Sequence, residues 1–147
     1  MLIRVIIAFV ILPGMVAFAI PVWIGYVAPL RYPLLAAPLL IAGTALLLWC
    51  VREFYVAGRG TLAPWSPPSQ LVTSGPYRFC RNPMYLAVAT ILVGWCLLWD
   101  TRTLIYYALV SAGVFHVRVL LFEEPWAART FGEQWQVYRA RVRRWVV

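Results

Sequence analysis

A chain of 147 residues has the length of one domain, yet 63% of its residues are hydrophobic, only 12% are charged, and its mean hydropathy is +0.79. Those values exclude an ordinary soluble globule and point to an integral membrane protein. The formal charge of +8 sits beside apolar runs instead of on a soluble module, which argues against nucleic acid and for anionic lipid headgroups as the charged partner.

The first apolar run carries no charge from residue 5 to residue 30 and predicts a span over 5–28. It is too long for a signal peptide and has no small-residue cleavage site, so it reads as retained. Pro13 and Pro21 are expected to kink it, which a membrane helix tolerates. A second span is predicted over 33–56. The connection that follows contains Gly58-Arg59-Gly60, Pro64, Pro67, Pro68 and Pro76, a content that forbids a long helix and leaves an irregular loop, ordered or flexible.

Asn82-Pro83 predicts a helix start, with Asn82 as N-cap and Pro83 in the first helical position. The span it opens covers 83–99. Trp99-Asp100-Thr101-Arg102 is a tight turn into a fourth span, 103–122, interrupted by His116 and Arg118. Glu124-Pro125 is expected to separate that span from a terminal helix over 126–145. There Phe131, Trp135, Tyr138, Val142 and Trp145 recur at spacings of four and three, giving an apolar stripe flanked by arginines. Such a segment lies along the interface or folds back over the polar loop.

The predicted fold is therefore all-α: one domain over 1–147, four transmembrane helices, a cytoplasmic loop and a C-terminal amphipathic interfacial helix. All 13 basic residues are arginine, and they cluster before the first span, around the second connection and after the fourth span. The positive-inside rule places both termini and the 58–81 connection in the cytoplasm. Cys50, Cys80 and Cys96 are expected as free thiols. With one histidine and no close cysteine pair, no metal site is expected. Oligomeric state is left open, since no small-xxx-small pattern stands out.

Two polar groups stand out. Tyr77, Arg78, Arg81, Asn82 and Tyr85 fall within nine residues at the mouth of a helix whose N-terminus favours electron-rich groups. His116, Arg118, Glu123 and Glu124 form the second. His116 and Glu123, seven apart, share a helical face, whereas Arg118, five from Glu123, is expected to point elsewhere. His116 admits either an interhelical hydrogen bond or a place in a binding site. Glu123 and Glu124 are two of only five acids in the chain.

These residues resemble a known family. Leu71-Val72-Thr73-Ser74-Gly75-Pro76-Tyr77, Arg81-Asn82-Pro83-Met84-Tyr85, and Glu123-Glu124 with Phe131-Gly132 and Tyr138 resemble the signature of the isoprenylcysteine carboxyl methyltransferases and the related phospholipid methyltransferases. The resemblance covers residues 69–145. It implies an integral membrane enzyme that uses S-adenosylmethionine without a soluble dinucleotide-type domain, and no G-x-G-x-x-G follows a strand-like segment here. It further implies that Gln70, Leu71, Val72, Tyr77, Asn82, Pro83, Met84, Tyr85 and Glu123 surround the cofactor. His116, on the helical face of Glu123, is expected to join them, and Arg81, Glu124 and Arg118 are expected to face a lipophilic acceptor. The chain departs from the family in having Asn82 where histidine is common, and Val119 where an acceptor-holding arginine lies one turn before the acid. A sterol-type membrane reductase using a nicotinamide, and a non-catalytic four-span protein, are the competing readings. The chain is short for the first and lacks the midplane acid of an ion-coupled transporter for the second.

Overall fold

The computed structural model describes residues 10–58 and 68–146. Arg4, the first residues of the predicted first span (5–9) and the part of the connection from Arg59 to Pro67 lie outside them. Among the described residues the structure is helical, with no strand. Helix α1 is a π-helical segment, Val10–Ala19, continued by an α-helical one, Ile20–Gly25. Helix α2 is Pro33–Val56, and a 3₁₀ turn covers Gly75–Arg78. Helices α3, Pro83–Trp99, and α4, Arg102–Arg118, follow. A π-helical turn, Val119–Glu123, carries α4 directly into α5, Glu124–Arg141.

The core lies where α3 crosses α2. Ala87, Val88, Ile91 and Leu92 of α3 are buried against Leu47 of α2 and Ala17 of α1. Close approach of α2 and α3 requires small residues on both sides: a Cβ on Gly43 would stand 2.7 Å from Ile91, and one on Gly94 would stand 2.8 Å from Leu40. Proline explains how α1 docks. Pro21 has no N–H to give the carbonyls one turn behind it, and side chains of other helices take those carbonyls instead. Trp95 Nε1 donates to Ala17 O at 2.7 Å, and Tyr107 Oη donates to Val16 O at 3.0 Å.

Among the described residues two helical stretches are long and apolar enough to cross a bilayer, Pro33–Val56 and the continuous Arg102–Arg141, and two shorter apolar ones are Pro13–Gly25 and Pro83–Trp99. Only 22% and 17% of the long stretches' apolar windows are buried, so they are not the core of a soluble globule. Leu34, Ile41, Leu109, Val110, Leu121 and Phe122 are among the large side chains they leave exposed. On the far side of the bundle, Arg31 N donates to Leu98 O at 2.7 Å, and Asp100 ends α3 in the left-handed conformation.

Several sequence expectations are corrected. Glu124-Pro125 does not break the helix: the wide π turn before it accommodates a residue that lacks an N–H, and helical geometry runs on through Glu124. The real bend is at Gly132, with φ 52° and ψ −119°, a conformation that needs glycine. The terminal helix ends at Arg141, and Val142 is extended. Asn82 precedes α3 and Pro83 begins it, but Asn82 makes no side-chain cap; its Nδ2 donates instead to Arg144 O at 3.1 Å. The terminal segment folds back over the polar loop. Trp135 and Tyr138 bury against Leu71, and Tyr138 Oη donates to Tyr77 O at 2.7 Å.

Candidate functional site

The loop between α2 and α3 is held by its own polar groups. Gly58 O accepts from Ser69 N at 3.0 Å, so the chain returns to the end of α2 after the undescribed stretch. Next, Ser74 Oγ donates to Glu53 Oε2, while Trp49 Nε1 and Arg52 Nη1 donate to Glu53 Oε1 at 3.3 and 3.1 Å. Glu53 is buried, and these three donors satisfy it. Gly75 has φ 57°, and a Cβ there would stand 2.8 Å from the Glu53 carboxyl carbon. Gly75→Ala is therefore expected to destabilise by about 1–3 kcal/mol from backbone strain and this clash. A thermal unfolding midpoint in detergent unchanged from wild type would refute that account.

So anchored, the loop delivers Tyr77 to the bundle. Its ring packs edge-on against Phe54 at 5.4 Å between centroids. Burial pushes both the Tyr77 and Tyr138 hydroxyls well above their ordinary value. Leu71, Val72, Tyr77, Arg81, Asn82, Met84, Arg118, Glu123 and Glu124 all line one cavity of about 510 Å³ at this end of the bundle. Tyr77, Asn82 and Glu123, from three different elements, thus share one hollow. Gln70, Pro83, Tyr85 and His116 are not on its wall. Gln70 is exposed, and its backbone N–H reaches Gly58 O at 3.4 Å. Pro83 is buried in the first turn of α3. Tyr85 acts from behind the wall by donating its hydroxyl to Glu123 Oε1.

Arg118 does not point away from Glu123. Its Nε donates to Glu123 Oε1 at 2.9 Å. In a regular α-helix two residues five apart diverge in direction, but the π turn between them closes rings of i→i+5 and brings them onto one side. His116 does not meet Glu123; it is exposed and stacks on Trp145 at 6.0 Å between centroids. Both donors to Glu123 use Oε1, and none among the described residues uses Oε2.

Glu124 is the hub of a second cluster. Arg144 Nε and Nη2 grip its two oxygens at 2.9 and 2.8 Å, and Arg81 Nη1 lies 2.8 Å from Oε1. Burial pushes the Glu124 carboxyl up, but the Arg144 hydrogen bonds and the charges of Arg81 and Arg144 outweigh it and hold the group below its ordinary value. Burial lowers Arg81, against the pull of Glu124. The Arg81 side chain is 9% exposed and packs over the Trp135 ring at 5.7 Å. Its Nη1 pairs with Glu124, and its Nε is buried without an acceptor among the described residues. An unmade bond of this kind costs about 1–3 kcal/mol or more for a charged group.

The strap after α5 closes the cluster. Arg81 N donates to Arg143 O at 2.9 Å, and Arg144 O receives both Asn82 Nδ2 and Cys80 Sγ. Burial raises the Cys80 thiol above its ordinary value, and all three cysteines are free thiols, as their scattered positions predict. Sequence reasoning missed Arg144 and Glu53 as organisers; each is joined to its partner across some twenty residues by tertiary folding, and no local pattern marks either. It also missed Trp126 and Trp135 on the cavity wall. The four-and-three aromatic spacing was the available signal for Trp135.

A helical bundle with exposed apolar flanks, and a cavity at one end lined by apolar and charged side chains, defines a membrane-associated all-helical protein. The chain belongs to the phospholipid methyltransferase family, which it matches over residues 32–134. Both the loop motif and the Glu123-Glu124 pair lie inside that stretch; Arg144 lies beyond it. Over 86 residues the chain is 29% identical to the nickel-cobalt-cadmium resistance protein NccN of Alcaligenes xylosoxydans xylosoxydans, covering 58% of this chain and 36% of that protein. The chain thus spans about a third of the length of that curated relative. No solved structure matches it.

Proposed function

We propose that this protein is an integral, four-span membrane methyltransferase that uses S-adenosylmethionine to methylate a small lipophilic or lipid-like acceptor at the cytoplasmic boundary. The observation that carries the reading is the single cavity shared by Tyr77, Asn82 and Glu123 in a chain of the phospholipid methyltransferase family. The volume, about 510 Å³, falls within the ~300–1,000 Å³ usual for small-molecule sites. The arginine-rich loop and strap at this end support a cytoplasmic orientation.

The donor set fits the proposed cofactor. Glu123 Oε2 is the acceptor left over for a ribose hydroxyl or an ammonium, while Tyr85 and Arg118 hold the carboxylate in place through Oε1. Asn82 lines the cavity with an amide N–H tied to Arg144 O, which leaves its carbonyl oxygen without a protein donor among the described residues and able to accept from a ligand. When bound, the sulfonium supplies an activated methyl group. The protein's part is alignment and exclusion of water, and positioning of two reactants lowers a barrier by about 7–11 kcal/mol in well-oriented cases. Leu121 and Phe122 line the cavity yet are 64% and 68% exposed on the apolar flank, an opening suited to an acceptor arriving from the bilayer.

Membranes carrying the protein, given S-adenosylmethionine labelled in its methyl group, are expected to transfer label into the lipid-soluble extract. Detergent-solubilised protein should also be protected from thermal unfolding by S-adenosylmethionine and not by a nicotinamide dinucleotide. No transfer to any extract together with no protection at millimolar donor would overturn the proposal.

A further inference from the structure

A second hollow, a groove of about 740 Å³, lies between the loop and the distal part of α5. Thr73 and Arg78 of the loop and Glu133, Gln134, Val137 and Arg141 of α5 line it, and all six are exposed. Among the described residues, only Leu71 and Tyr138 line both this groove and the inner cavity, so these two form the partition between them. The partition stands on a piece of chain built to turn. Residues 133–141 are a short helical rod between two non-helical joints, Gly132 with φ 52° and Val142 with φ −116° and ψ 128°. A Cβ at Gly132 would meet nothing within 4 Å, so no packing holds that joint and the glycine serves the backbone alone. The buried side chains of the rod, Trp135 and Tyr138, pack on Leu71, on their own helix and on the strap, and stay apart from the core where α3 crosses α2. Beyond Val142 the chain is fixed again, by Arg144 on Glu124. Tyr138 itself is latched to the loop through Tyr77 O.

We propose that this groove is the vestibule through which the water-soluble sulfonium donor reaches the inner cavity, and that rotation of the 133–141 rod between Gly132 and Val142 opens the Leu71–Tyr138 partition to admit it. This deepens the methyl-transfer reading by giving the donor a route, and it rests on that reading for the donor's identity. The inner cavity meets the apolar flank at Leu121 and Phe122, where a charged molecule is costly to desolvate. The groove instead offers both signs of charge, Arg78 and Arg141 for the carboxylate and Glu133 for the ammonium at the donor's amino-acid end. Motions that admit a ligand are absorbed by a few residues at the ends of an element, as the two joints here allow.

The test uses the full chain in phosphatidylcholine nanodiscs and follows S-adenosylmethionine binding by stopped flow, read from the fluorescence of Trp126 and Trp135 on the inner wall. Val137→Cys capped with N-cyclohexylmaleimide should slow association and dissociation alike, by about tenfold or more, and leave the Kd unchanged, because Val137 lines the groove and not the inner cavity. Gln136→Cys capped in the same way is on neither wall and should keep wild-type rates, as should wild type so treated, with its own three cysteines. Tyr138→Phe, which lacks the latching hydroxyl, should bind and release the donor faster. Unaltered rates in capped Val137→Cys overturn the proposal, as does equal slowing in capped Gln136→Cys. A weaker affinity with an unchanged association rate overturns it too, since the groove would then belong to the binding site and not to its entrance. Unchanged rates in Tyr138→Phe overturn the gating by the partition. If the wild type binds no S-adenosylmethionine, the methyl-transfer reading fails and the route with it; binding whose rates ignore the cap refutes the route alone.

Discussion

Replacing Glu124 with alanine is expected to destabilise the protein by about 3 kcal/mol, the largest effect of any single polar substitution at this site. The side chains of Glu124 and Arg81 are only 13% and 9% exposed, and Arg144 grips the same carboxylate through two hydrogen bonds. Removing the acid leaves two guanidinium groups facing each other in a partly dry setting. Arg144 is 30% exposed and can turn toward water, which keeps the effect at the lower end of the range for broken buried pairs. Glutamine keeps the volume and one acceptor, so Glu124→Gln should lose less. The same group predicts a pH dependence. Its folded value is held below the ordinary carboxyl value of 4.5, so its contribution is complete above pH 4.5 and is lost as pH falls through the lower folded value. Thermal unfolding in detergent across that interval should therefore fall more steeply in wild type than in Glu124→Gln. Parallel curves would show that the carboxylate is not held by its arginines as described.

Glu123→Gln should weaken donor binding about 10- to 100-fold, the scale of a lost charge-assisted hydrogen bond, with little change in the unfolding midpoint. The asymmetry follows from geometry. Glu123 lies on the cavity wall with one oxygen held by Tyr85 and Arg118 and the other without a donor among the described residues. Tyr85→Phe tests the same arrangement from behind. It removes a hydroxyl that does not line the cavity, so any loss of affinity would come through the orientation of Glu123, and a smaller loss is expected. Calorimetric titration with S-adenosylmethionine checks both; equal affinity in Glu123→Gln and wild type would remove Glu123 from the site.

The parts of this architecture written in local chemistry were legible from the chain. Pro33 and Pro83 open their helices because a first-turn proline forfeits no hydrogen bond, and Asp100 closes α3 in a turn that short polar residues tolerate. That Tyr77, Asn82 and Glu123 belong together was implied by the family resemblance of the motifs that carry them, and all three line one hollow. What could not be read is what depends on helical phase and on distant partners. A regular α-helix sends Arg118 away from Glu123, and apolar residues such as Val119, Leu120 and Leu121 carry no sign that the helix widens there. Asn82 looks like a cap by type, yet its amide is drawn to Arg144 O, sixty-two positions on. Proline after Glu124 resembles a stop for the same reason that it resembles one in water; the wider turn before it removes the conflict.

That wider turn also fixes a rotational phase. Excising one residue between Arg118 and Glu123 would let the segment relax to ordinary 3.6-residue winding with the two residues four apart, still on one face of the helix. Inserting one residue there would instead swing everything downstream by roughly 100° about the axis, taking Glu123 away from Arg118 and Glu124 away from Arg81. Length between these two positions can thus shrink by one residue but not grow, whereas Leu120 and Leu121 could be exchanged for other greasy residues.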